Sequence, residues 1–165
     1  MRDLSAYAAQ CMRELDRLHI RYAQNITFAV NTRAKTRLGV CKKQGDRYTV
    51  EIAAPLLDES MPEKLLKETL HHELLHSCRG CMQHTGKWKA LAERVNAAYG
   101  YQITRTAEKD ELPQGLVQQP RYRVVCPRCG AVYERYKRSA LIDHPERYRC
   151  GKCRQPLTGA GVFYR

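Results

Sequence analysis

The stretch Leu70-His71-His72-Glu73-Leu74-Leu75-His76 leaves its part of the chain little choice of local structure. His72-Glu73-x-x-His76 sets two imidazoles on one face, one turn apart, when the backbone is α-helical, with a carboxylate beside them. Two histidines at i and i+4 can share one zinc, and the adjacent glutamate can act as a base on water there. The flanks agree with a helix. Ser60-Met61-Pro62-Glu63 has the form of a capping box with proline in the first turn, and the helix should end near Ser77–Gly80. On a helical wheel Leu66, Leu70 and Leu74 form one stripe, while Leu65 and Thr69 lie on the side of His72 and His76. Lys64, Lys67 and His71 form the one plainly polar stripe, so His71 is expected to face solvent and His72 to be the ligand.

Two imidazoles leave a zinc short of ligands, because catalytic sites usually have three protein ligands and one open position. His84 is the best third ligand: it lies eight residues past His76, after a loop containing Gly80, and just before a second helical pattern. In that pattern Trp88, Leu91, Ala92, Val95 and Tyr99 share a face, and Gly100 suits the C-terminal stop. Glu93 is a weaker candidate, since it requires the middle of the second helix to reach the metal. The competing reading of His72 and His76 is a pair of core histidines bonded to backbone; Glu73 between them and His84 nearby weigh against it. Cys78-Arg-Gly-Cys81 has ligand spacing but no second pair close by. It could be a redox pair or join Cys41 at another metal; two free thiols in a tight loop is the preferred reading.

Before this helix, Leu4, Tyr7, Ala8, Cys11, Leu15 and Leu18 recur at helical spacing, so residues 3–19 read as an amphipathic helix. Ile26–Val30 is β-prone. Residues 36–42 and 47–51 read as a hairpin around Gly45, with Tyr48, Val50 and Ile52 on the buried face. Residues 104–119 are polar and aperiodic, with Pro113 and Gly115, and read as a linker. The expected class is α+β: a domain over 1–103 with helices on a small sheet, the linker 104–119, and a β-rich zinc ribbon over 120–165.

The ribbon rests on Cys126-Pro-Arg-Cys129 and Cys150-Gly-Lys-Cys153. Two CxxC knuckles supply four thiolates for one tetrahedral structural zinc, and a unit this small needs the metal to fold. Of the net charge of +12, residues 120–165 contribute eleven Lys/Arg against three Asp/Glu, while 57–103 are balanced at six against six. Arg121, Arg123, Arg135, Lys137, Arg138, Arg147 and Arg149 are interleaved with Tyr122, Tyr133, Tyr136 and Tyr148. Cations among stacking rings suit single-stranded nucleic acid; the plainer alternative is strand tyrosines packing a solvated basic ribbon. No apolar run approaches the length of a membrane span, and Met1-Arg2-Asp3-Leu4 lacks the apolar core of a secretory signal. A cytoplasmic location is expected, where thiols hold metal more readily than they form disulfides.

The chain resembles the SprT-like zinc metalloproteases, a family that includes the DNA–protein crosslink protease Spartan. The resemblance rests on Asn31-Thr32-Arg33-Ala34-Lys35-Thr36-Arg37-Leu38-Gly39, on His72-Glu73-Leu74-Leu75-His76, on His84 to Trp88, and on the four-cysteine terminus. Two positions depart from the family pattern: Thr85 stands between His84 and Gly86, and Leu38 occupies a site often aromatic. The resemblance implies a zincin-like fold, a catalytic zinc on His72, His76 and His84, Glu73 as catalytic base, and protein substrates attached to or near DNA. An alternative function is a non-catalytic nucleic-acid-binding protein with two structural zinc sites.

Overall fold

The computed structural model describes residues 1–34, 36–105 and 120–164. The chain divides into two compact units, one within residues 1–117 and one within 118–165. Apart from Thr104 and Arg105, the stretch 104–119 lies outside the described residues.

The first unit opens with helix α1, Leu4–Arg17, whose Asp3 side chain accepts a hydrogen bond from the Ser5 N–H and caps its start. Its buried face carries Leu4, Ala8, Cys11 and Leu15, as the periodicity predicts, and also Glu14. The helix closes by a Schellman arrangement: Ile20 N–H reaches the Leu15 carbonyl at 3.0 Å and His19 N–H the Asp16 carbonyl at 2.9 Å. The left-handed position there is held by His19, at φ 51°, where glycine is usual.

Strands β1 (Ile26–Asn31), β2 (Gly39–Gln44) and β3 (Arg47–Ala53) form a mixed sheet in the order β1-β3-β2. β1 runs parallel to the central β3, and β2 pairs antiparallel to it through a turn in which Gly45 has φ 63°. Val50 and Ile52 are fully buried on the inner face of β3. β2 is an edge strand, with no further strand beside it among the described residues.

Helix α2 (Glu63–His76) is the core helix, with Leu65, Leu66, Leu70, Leu74 and Leu75 buried. It begins without the capping box. Ser60 Oγ donates to Asp58 at 2.6 Å, and Glu63 pairs with Lys67 at 2.6 Å instead of reaching back to the cap. Pro62 holds the N-cap position with no side-chain bond. The expected outward stripe is also wrong at one position: His71 is 0 % exposed, and its Nε2 meets Glu14 Oε2 of α1 at 2.8 Å. A polar stripe on one helix was matched by a polar residue on the buried face of another, a pairing that periodicity within one helix does not reveal. Helix α3 (Gly86–Tyr99) buries Trp88, Ala92 and Val95 and ends at Gly100, which has φ 70°.

In the second unit β4 (Tyr122–Val125) is central, flanked antiparallel by β5 (Val132–Arg135) and β6 (Gly161–Tyr164). A one-turn helix, α4 (Ala140–Asp143), contributes Leu141 and Ile142 to a small core with Val124, Leu157, Cys126 and Cys150. The architecture as a whole is a mixture of helices and small sheets, the α+β class.

Candidate metal centres

α2 presents His72 and His76 on one face, and the nine residues from Ser77 to Thr85 return the chain so that His84, just before α3, faces them. One ligand atom from each of the three lies within 4.8 Å of the others. His84 Nε2 stands 2.9 Å from His72 Nε2. Two nitrogens on one tetrahedral zinc, each about 2.05 Å from it, are about 3.3 Å apart, so an opening of only about 0.4 Å would admit the ion. Glu93, the reserve ligand, is exposed and is not in the cluster.

The backbone decides which nitrogen each imidazole offers. His72 Nδ1 lies 2.9 Å from the Thr104 carbonyl and His76 Nδ1 2.8 Å from the Cys81 carbonyl. A carbonyl can only accept, so each Nδ1 carries the proton and each Nε2 keeps its lone pair for a cation. Burial, followed by the neighbouring His76 and His84, depresses the His72 pKa to about 4; burial likewise lowers His76 and His84. All three rings are therefore neutral at pH 7, the form that binds metal. Trp88 packs on the set, with its centroid 4.8 Å from His72, 5.7 Å from His76 and 4.6 Å from His84.

The carbonyl of Thr104 is set by the short segment after α3, which carries no regular secondary structure. Gln102 N–H donates to Glu68 at 2.6 Å. Ile103 is gripped from both sides by Asn96, whose Oδ1 accepts from its N–H at 2.8 Å and whose Nδ2 donates to its carbonyl at 3.1 Å. Tyr101 donates its hydroxyl to Glu14 at 3.0 Å. Cys11, Glu14 and His71 form a third cluster of ligand-type atoms; Glu14 is already the acceptor for Gln10, His71 and Tyr101, while the buried His71 Nδ1 has no hydrogen-bond partner.

Glu73 is 7 % exposed. Burial raises its pKa to about 7, against the lowering effects of the Cys41 N–H and the Arg37 guanidinium. Cys41 lies on β2, so the free edge of the sheet and the carboxyl meet. The approach depends on Gly39, because a Cβ there would lie 2.8 Å from Glu73 Cγ and 3.0 Å from both Glu73 Oε1 and Thr69 Cγ2. Residues such as Gly39, Trp88, Asn96 and Glu68 support the site through packing or main-chain geometry, and spacing alone gave them no functional role. Cys78 and Cys81 are free and buried, and burial pushes the Cys78 thiol up to about 12.

In the second unit the four cysteines converge: Cys126 Sγ–Cys153 Sγ is 3.8 Å and Cys129 Sγ–Cys150 Sγ 3.5 Å. Four sulfurs about 2.3 Å from one zinc are about 3.8 Å apart, so the donors fit the ion as they stand. Each knuckle turns through a left-handed residue, Gly130 at φ 69° and Arg154 at φ 63°. The Tyr133 hydroxyl lies 3.0 Å from Cys150 Sγ, and with nearby backbone N–H groups it lowers that thiol to about 5. Arg121, Arg123, Arg135, Lys137, Arg138, Arg147 and Arg149 are all exposed. Arg123 pairs with Glu134 at 3.3 Å and Arg138 with Asp143 at 2.6 Å. Of the tyrosines, Tyr133 is committed to Cys150 and Tyr122 meets Tyr164 edge-on, while Tyr148 is exposed. Phe163, 58 % exposed and paired across from Arg123, is an open ring that the sequence reading overlooked.

No helix of the described residues is long and apolar enough to cross a membrane. Among curated proteins, none matches this chain. The model of the SprT-like family matches residues 8–107, which include α2, the three histidines and the Thr104 carbonyl and end before the four cysteines. With more than half of its length matched, the chain belongs to the SprT-like family.

Proposed function

We propose that the chain is a zinc-dependent endopeptidase with a zincin-like catalytic domain, acting on proteins associated with or crosslinked to DNA. The observation that carries this reading is the convergence of three neutral imidazoles, two with their Nε2 lone pairs fixed, beside a buried carboxyl on the open edge of a sheet. His72, His76 and His84 would hold the zinc, and the ion would supply Lewis acidity for water and for the scissile carbonyl. Glu73, poised near neutrality by burial, takes a proton from water and returns it to the departing amine. β2 offers main-chain groups with which an extended peptide can pair.

A second zinc, structural, fits Cys126, Cys129, Cys150 and Cys153. Binding of single-stranded DNA is assigned to the ribbon, through Arg121, Arg123, Arg135, Lys137, Arg138, Arg147 and Arg149 with Tyr148 and Phe163 as stacking faces. The free state of all eight cysteines accords with a reducing, cytoplasmic setting.

The test compares wild type with Glu73→Gln for zinc content and for cleavage of a labelled histone, with and without single-stranded DNA. Two zinc ions per chain in both proteins, with cleavage in wild type alone, is expected. Equal cleavage by both would overturn the assignment of Glu73. Zinc in both and cleavage in neither would favour the non-catalytic binding protein.

A further inference from the structure

A groove of about 610 Å³ lies between the loop after α1, the tip of the β2–β3 hairpin and the α2–α3 loop. Its wall includes Ser77, next after His76, and Gln83 and Thr85, which flank His84, so it adjoins the metal centre. It is lined by Arg21, Lys43 and Arg79 and by no carboxylate among the described residues. Arg21, Lys43 and Arg79 are exposed, and each comes from a different one of the three segments. Lys87 adds a fourth cation at the rim, its Nζ 2.6 Å from the Arg79 carbonyl. Arg21 and Lys43 come from residues 1–56, which carry ten Lys/Arg against five Asp/Glu, and Arg79 and Lys87 from residues 57–103, which are balanced at six against six.

We infer that this groove is a substrate subsite for acidic side chains of the peptide being cut. The inference rests on the peptidase reading and names a preference within it. β2 begins at Gly39, packed against Glu73, and reaches Lys43 in the groove four residues later, a path of about 13 Å at the rise of an extended strand. A peptide paired along β2 past Glu73 therefore delivers the side chains about three to four residues from the scissile bond into the groove. Cationic walls there favour Glu or Asp at those positions and repel Lys or Arg. Single-stranded nucleic acid is the poorer match, since it uses open aromatic faces. Tyr48 is 9 % exposed with Lys43 Nζ 5.6 Å above its ring, and the half-buried Tyr22 is hydrogen-bonded to Asp16.

The experiment measures binding, so that it does not depend on turnover. Zinc-loaded full-length Glu73→Gln is titrated against fluorescein-labelled twelve-residue peptides by fluorescence anisotropy. The peptides carry two Glu, two Gln or two Lys, placed about four residues to one or the other side of the centre. The Glu peptide of one side is expected to bind about fivefold more tightly than its Gln counterpart, an advantage that shrinks with salt. Adding Arg79→Glu should abolish that advantage and turn it toward the Lys peptide, a charge swap that loss of fold would not produce. Equal affinity of Glu and Gln peptides on both sides, or a preference unchanged by Arg79→Glu and Lys43→Glu, overturns the inference. So does a result in which Arg79→Glu weakens a labelled oligo-dT but leaves the peptides indifferent, which would make the groove a nucleic-acid track. If the acid preference holds while wild type cleaves nothing, the peptidase reading fails and the acidic-peptide site stands.

Discussion

Replacing Gly39 by alanine should disable Glu73 while leaving the metal in place. The added Cβ would sit 2.8 Å from Glu73 Cγ and 3.0 Å from Thr69 Cγ2, where unstrained carbon contacts need about 3.5 Å or more. Relief requires Glu73 or β2 to move by about 0.7 Å, and overpacking of this kind costs about 1–3 kcal/mol of stability. A catalytic group shifted by nearly 1 Å loses about a hundredfold in rate. Thr69 cannot simply step aside, because its hydroxyl is bonded to the Leu65 carbonyl at 2.8 Å within the helix. The assay is histone cleavage at a temperature where the variant is folded, alongside zinc content and denaturant unfolding followed by Trp88, the only tryptophan. Leu4→Ala, a partial core truncation at the start of α1, supplies a destabilised control costing about 2 kcal/mol. The expected result is two zinc ions in every protein, cleavage kept by Leu4→Ala and lost about a hundredfold by Gly39→Ala. Cleavage by Gly39→Ala within about threefold of wild type would refute the claim that this close approach positions the base.

Other outcomes follow from the same contacts. In the metal-free protein, Glu73 has a folded pKa of about 7, above its ordinary 4.5. Its neutral form is favoured by the fold, so the stability it contributes is full below pH 4.5, declines through neutrality and is gone above the folded value. The stability difference between wild type and Glu73→Gln, read by urea unfolding, should therefore fall by about 2–3 kcal/mol from pH 4.5 to pH 8; a flat difference would contradict the burial of an ionisable group there. His19→Gly should stabilise the first unit by about 1 kcal/mol, since the left-handed position after α1 is strained for a residue with a Cβ, and a lowered melting temperature would contradict this. Asn96→Ala should weaken zinc at the histidine site by about tenfold in a chelator competition, because the segment that aims Thr104 at His72 loses both of its Asn96 bonds. Unchanged zinc affinity in that variant would mean the Thr104 carbonyl stays in place without it.

What could be read in advance follows a physical division. Helical phase separates His72 and His76 from the rest of α2, and the spacing of His84 and of the four cysteines brings them to their partners, because ligand geometry depends on short chain distances. The α1 helix and the β2–β3 hairpin are likewise local patterns. His71 was misread because its partner Glu14 lies on another helix, 57 residues away in sequence. The capping box failed for a nearer reason, since Asp58 outbids the helix end for the Ser60 hydroxyl. The role of Gly39 depends on which helix packs on β2, and no periodicity reports that.

The two carbonyls behind His72 and His76 carry a consequence for how such a centre can vary. They belong to Thr104 and Cys81, but the oxygens are those any residue would present. Substituting either residue leaves a main-chain acceptor at its position, although Cys81 is also fully buried, so a larger side chain there would disturb the core. Inserting or deleting one residue between His76 and His84 would not be so quiet, for it would rotate the Cys81 oxygen away from its imidazole. The outer layer of this centre is thus encoded in loop length on the Cys81 side and in the side chains that grip the chain on the Thr104 side, and neither is written in the residue that owns the oxygen.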